Sequence, residues 1–124
     1  MQIRVYYEDT DAGGIVYHTN YLKYCERARS EIFFNKGLSP VIGDSHFVVV
    51  HIDASFKASA KLGDMLDVTT VLTSNKRTSL VLTQEVLRDG VLLFCMDVTL
   101  VFTQGARPRR LTKESLELFS INKS

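Results

Sequence analysis

At 124 residues, with 45% hydrophobic and 23% charged residues, the chain has room for one domain with a core of its own. Two prolines and seven glycines exclude a fibrous repeat or a long disordered tract. A formal charge of +1, with acids and bases interleaved, excludes a general nucleic-acid or anionic-membrane surface.

The opening Met1-Gln-Ile-Arg-Val5 lacks the apolar centre of a signal peptide. No apolar run is long enough to span a bilayer, so a cytoplasmic location without membrane insertion is expected. Cys25 and Cys95 lie far apart in apolar company, without a Cys-x-x-Cys pair, and read as two reduced thiols packed as small hydrophobes.

In chain order, Ile3 to Tyr7 reads as a short strand and Asp9 to Thr19 as a loop rich in Asp and Gly. Asn20 to Lys36 reads as one long helix, because Tyr21, Cys25, Ala28 and Ile32 recur on one face. Thr19 or Asn20 suits its N-cap, and Gly37 supplies a left-handed stop. The period then falls to two. In His46 to Lys57, Val48, Val50, Ile52, Ala54 and Phe56 are expected on one face, with Val49, His51 and Asp53 on the other.

Asp64 to Thr73 repeats this pattern with Leu66, Val68 and Leu72 on one side. Ser79 to Arg88 and Val91 to Thr103 flank Asp89-Gly90, the turn chemistry of a tight hairpin. Even-numbered residues from Leu92 to Phe102 form an apolar face, and Lys113 to Phe119 suits a short closing helix. Nothing divides the chain, so residues 1–124 read as one α+β domain, an antiparallel sheet wrapped around a helix. One helix leaves part of such a sheet uncovered, so self-association is expected.

The segment from Tyr6 to Tyr21 carries the chemistry. It sets carboxylates in a Gly-containing loop that runs into a helix start, where open N–H groups and the helix dipole favour negative charge. Such a site suits a carbonyl whose oxygen becomes negative during attack, with a nearby carboxylate to activate water. Taken without further context, Asp9 and Asp11 fit a turn or capping role better than a catalytic one. His18 alone fits an ordinary polar residue before a helix, and Tyr7 an edge aromatic.

Thr10-Asp-Ala-Gly-Gly-Ile-Val-Tyr-His-Thr-Asn-Tyr21, followed by Glu26-Arg-Ala-Arg29, resembles the signature of hotdog-fold thioesterases of the 4-hydroxybenzoyl-CoA type. The nearest branch is that of the YbgC-like acyl-CoA thioesterases linked to the bacterial Tol-Pal system. The resemblance implies a hotdog fold across nearly the whole chain, and hydrolysis of acyl-CoA without a further cofactor. It places the catalytic carboxylate on Asp11, as general base or as nucleophile, and the oxyanion site on the His18 backbone N–H. The His18 side chain would help orient substrate or water, and Tyr7 would line the same pocket.

The resemblance further implies a homodimer or homotetramer with the pocket between protomers. Basic residues on the partner's strands or loops would meet the coenzyme A phosphates there. Lys57, Lys76, Arg77 and Arg107 are candidates by charge and loop position, and each alone is better read as a solvated charge. The cluster Arg107-Pro-Arg-Arg110 has the same two readings. Acyl carrier protein is a further possible partner.

Rival chemistries find less support. No Gly-x-Ser-x-Gly elbow is present, and Cys25 sits inside the helix stripe rather than at an activated terminus. His18, His46 and His51 lack metal-ligand spacing, and parity sets His46 and His51 on opposite strand faces. A hotdog dehydratase would want a catalytic His with an acid elsewhere. A hotdog binding module for acyl chains or acyl carrier protein is the non-enzymatic alternative.

Overall fold

The computed structural model describes residues 1–120. Its principal helix, α1 (His18–Phe34), buries Tyr21, Tyr24, Cys25, Ala28, Ile32 and Phe33. Offsets of three and four put these residues on one side, which is why the sequence stripe becomes a core stripe. The helix starts two residues earlier than the sequence suggests, with Tyr17 rather than Thr19 or Asn20 at the N-cap position. The Tyr17 N–H and the Asn20 amide both donate to the Asp9 carbonyl, at 3.0 and 2.8 Å, which turns the chain before Thr19 is reached. At the other end Gly37 has φ +70. There the Leu38 N–H bonds the Phe33 carbonyl and the Gly37 N–H bonds the Phe34 carbonyl. This paired closure needs a left-handed residue, and glycine fills it without steric cost.

The strands are β1 (Gln2–Arg4), β2 (Val41–Ile42), β3 (Ser45–Phe56), β4 (Met65–Asn75), β5 (Ser79–Arg88), β6 (Val91–Gln104) and β7 (Arg107–Pro108). They pair antiparallel in the order β1-β4-β5-β6-β3-β2, with β7 against β6. Between β5 and β6, Asp89 and Gly90 both have positive φ, as a two-residue hairpin requires. A single turn of 3-10 helix (Tyr7–Asp9) precedes α1, and α2 (Lys113–Ser120) closes the described chain. The sheet curls around α1, and Leu66, Leu80, Leu82, Phe94 and Val98 from its inner face are fully buried.

Strand β3 departs from the sequence reading. Its register with β6 shifts between Val49 and His51, so Val50 is a bulge. Phe47 and Val49 pair with the inward Phe102 and Leu100, whereas beyond the bulge Ile52, Ala54 and Phe56 pair with Val98, Met96 and Phe94. Val48 therefore does not share a face with Ile52. His46 and His51 fall on the same outer face, not opposite ones, because one inserted residue inverts the parity. Their partners on β6, Thr103 and Thr99, stand four residues apart, ~13 Å along the strand. Among the described residues no group of three or more His, Cys, Asp or Glu gathers in metal-binding geometry. No helix is long and apolar enough to cross a membrane.

Strand β2 pairs with β3 only at Ser45 and His46. From Phe47 to Phe56 β3 is therefore a sheet edge among the described residues. Val49, Val50, Ile52 and Phe56 on it are 40–57% exposed. A long apolar edge of this kind is a template for another strand.

Candidate active site

Two carboxylates in the Asp-Gly loop have separate fates. Asp9 is buried, and its side chain accepts the Tyr6 N–H at 2.9 Å. Its carbonyl anchors α1 as described, so Asp9 is a structural clamp. Below it the buried Tyr24 hydroxyl has no hydrogen-bond partner among the described residues. Burial first, and then the Asp9 charge, raise that phenol above its ordinary range.

Asp11 is exposed. It heads a tight turn in which its N–H bonds the Ile15 carbonyl and its carbonyl accepts the Gly14 N–H. One carboxylate oxygen accepts the Gly13 N–H at 2.8 Å, an Asx turn that fixes the side chain. A Cβ on Gly13 would lie 3.2 Å from that oxygen, so the glycine leaves room for the carboxylate to fold back. The second oxygen has no partner among the described residues.

Asp11 and His18 line one cleft of about 360 Å³, together with Tyr17, Tyr21, Phe56 and Lys57. The N–H groups of His18 and Thr19 open the first turn of α1 and carry no intrahelical partner. The His18 ring lies against Tyr17 at 4.5 Å and edge-on to Phe56 at 6.2 Å. Tyr21 stacks on Phe94 at 5.2 Å, and its hydroxyl accepts the Ala60 N–H at 2.9 Å. That bond holds residues 57–60 as the cleft's far wall. The open helix start and the Asp11 carboxylate therefore border the same cleft.

The remaining expected site residues are not gathered there. Tyr7 opens the 3-10 turn, is 83% exposed and does not line the cleft. The sequence reading missed the 3-10 turn that ends β1 at Arg4 and carries the Tyr7 ring outward. Lys57 does line the cleft. Lys76, Arg77 and Arg107 sit at the opposite end of the sheet, where the Leu111 N–H bonds the Arg77 carbonyl and Arg107 pairs with Gln104. From Phe94 to Gln104 is ten residues, ~34 Å, so these cations cannot serve the same chain's cleft. Sequence reasoning missed Tyr17, Tyr21 and Phe56 as cleft-lining residues. The first two lie inside the motif that marked Asp11.

The site is thus an open helix start and a loop carboxylate on one cleft, held in a sheet that wraps its helix. A family model for the thioesterase superfamily matches residues 13–95, and the chain belongs to that superfamily. Over 123 residues it is 39% identical to the acyl-CoA thioester hydrolase YbgC of Escherichia coli, covering 94% of this chain and 92% of that protein. It is 49% identical over 86 residues to the acyl-CoA thioesterase YbgC of Helicobacter pylori; that match takes in 69% of this chain and spans 65% of the Helicobacter protein's length. Among solved structures, a 4-hydroxybenzoyl CoA thioesterase variant complexed with 4-hydroxybenzoyl CoA superposes with TM-score 0.82 and 29% identity, over 97% of this chain and 96% of that one. The fold is the hotdog fold.

Proposed function

We propose that the protein is an acyl-CoA thioesterase, hydrolysing the thioester to a free acid and coenzyme A. The observation that carries this is the meeting of Asp11 with the open start of α1 in one cleft, in a chain of the thioesterase superfamily. The thioester carbonyl oxygen lies against the His18 N–H, which stabilises the developing negative charge; removing such a donor typically costs ~10²–10³ in rate. Asp11 acts through its free oxygen, as general base toward a water or as nucleophile on the carbonyl carbon. In the first route the proton from water passes to Asp11 and then to the departing thiolate. In the second a mixed anhydride forms, coenzyme A leaves, and water cleaves the anhydride. The His18 side chain orients the substrate or water.

The cleft is open in a single chain, and water screens a carboxylate so exposed. A second copy supplies the missing wall in this reading. Two β3 edges paired antiparallel about a two-fold at Val50 would set the partner's Asp44 opposite Phe56 and the partner's Ser45 opposite Ser55. The partner's Arg107, two strands beyond the partner's Ser45 with Gln104 between them, would then stand at the same end of the joined sheet as this chain's Lys57. Arg107, Lys76 and Arg77 thus become candidates for the coenzyme A phosphates across the subunit boundary. The link to the Tol-Pal system is carried by the branch resemblance alone.

The test is free-thiol release from a panel of acyl-CoAs and acyl-carrier-protein thioesters, run beside hydration of an enoyl-CoA. Release of thiol from acyl-CoA supports the proposal. Hydration without thiol release would establish the dehydratase reading. Tight acyl-carrier-protein binding with no turnover would establish the binding-module reading.

A further inference from the structure

His18, Leu22, Glu26, Arg29 and Phe33 follow one another at steps of four, four, three and four, so they form one face of α1. His18 lines the cleft described above. Glu26, Arg29 and Phe33 line a separate cavity of about 230 Å³, closed on its other side by Phe47 and Val49 of β3. Between the two lie Leu22 and Ala54, both packed on the core, and Ile52, 40% exposed. An apolar strip of α1 and of the inner side of β3 therefore joins the linings of these two separate cavities. It begins at the open helix start and ends on a guanidinium.

That guanidinium is partly buried and underused. One Arg29 Nη donates to the Gln84 Oε1 at 2.9 Å, out of five N–H donors, and no carboxylate pairs with Arg29 among the described residues. Gln84 is fully buried and is itself held by the Cys25 carbonyl and the Thr70 hydroxyl. The Arg29 head is thereby fixed in place rather than waving in solvent. Glu26, at the same cavity, accepts the Ser30 hydroxyl at 3.1 Å and keeps lone pairs open.

Resting on the thioesterase reading, we propose that Arg29 and Glu26 read the far end of the acyl group and select a terminal hydroxyl. Eleven residues separate His18 from Arg29, ~16 Å along the helix. An extended chain advances ~1.2 Å per bond, so its end meets Arg29 about thirteen bonds from the carbonyl. A hydroxyl there accepts from Arg29 and donates to Glu26. A terminal methyl would strip water from both charges and return nothing. A terminal carboxylate would gain Arg29 but meet the Glu26 charge.

The experiment compares kcat/KM for butanoyl-CoA, dodecanoyl-CoA, 12-hydroxydodecanoyl-CoA and the mono-CoA ester of dodecanedioic acid. The wild type should favour the hydroxylated chain over dodecanoyl-CoA by about tenfold, the value of one good hydrogen bond to a charged group. Arg29→Met should reverse that order while leaving butanoyl-CoA within about threefold, which also certifies that the variant is folded. Glu26→Gln, at an exposed position, should shrink the hydroxyl preference and raise turnover of the dicarboxylic ester. Equal or lower wild-type turnover of the hydroxylated chain overturns the inference, as does a preference that survives both substitutions. Hydrolysis of butanoyl-CoA in either case keeps the thioesterase reading standing; no thioester hydrolysis at all removes both.

Discussion

Replacing Tyr21 by Phe removes one oxygen and nothing else from the wall of the cleft. The ring, 3% exposed, keeps its stack on Phe94 and its edge contact with Phe56 at 5.9 Å. What is lost is the acceptor for the Ala60 N–H, at a residue that is 0% exposed and has no water to turn to. Burial holds the phenol above its ordinary pKa, so the native group is a neutral hydroxyl across the working pH range. An unsatisfied buried N–H costs ~1–3 kcal/mol. With a urea dependence of ~2 kcal/mol per molar, a loss of ~2 kcal/mol lowers the unfolding midpoint by ~1 M. The comparison is made at one protein concentration, since self-association adds to apparent stability. The same change loosens Lys57, Ala58 and Ser59, which line the cleft, so KM should rise several-fold while kcat changes less. A midpoint within ~0.2 M of wild type would refute the assignment of this bond as the anchor of the wall.

Three further outcomes are expected. Arg88 and Asp64 pair at 2.8 Å. Burial pushes the Asp64 carboxyl up, but hydrogen bonds from Arg88 and the Lys61 N–H, with the Arg88 charge, outweigh it and hold the carboxyl below its ordinary range. A lowered carboxylate pKa stabilises the fold above the unfolded-state value near ~4, and the benefit fades as pH falls through the folded value. The melting-temperature gap between wild type and Arg88→Met should therefore be widest at neutral pH and close in acid; a gap constant with pH would contradict the pairing. Burial pushes the Cys25 thiol up to about 12, so the native protein should titrate with a thiol reagent at Cys95 alone and at both cysteines after unfolding. Lysines at Val50 and Ile52 should convert the associated form to monomer in sedimentation and abolish turnover together; a still-associated double variant would move the interface elsewhere.

Much of this architecture is legible in the residue pattern because each piece is locally determined. The β5–β6 hairpin follows from Asp89-Gly90 and the alternation from Phe94 to Phe102, although β5 leaves Leu93 unpaired between Leu92 and Phe94. The buried face of α1 follows from Tyr21, Cys25, Ala28 and Ile32. The phase of β3 is not legible. Val48-Val49-Val50 is apolar at every position, so nothing in it marks which valine is extruded; pairing with β6 decides that. The helix start eludes sequence reading for a similar reason. Thr19 and Asn20 are good capping residues, but a carbonyl eleven residues back captures the Asn20 amide first. Asp9 and Asp11 are the same residue type two positions apart. Only burial separates the clamp from the free carboxylate. Tyr7 and the distant cations depend on where a turn sends a side chain and how long a strand is, quantities that a loop position does not contain.

In the proposed mechanism turnover depends on Asp11. Asp11→Asn keeps an oxygen to accept the Gly13 N–H and removes only the negative charge, so the loop should fold as before. Thiol release from the best acyl-CoA, measured beside a melting curve for each protein, should fall by ~10²–10⁴ with an unchanged melting temperature. Equal rates in the two proteins would contradict the account.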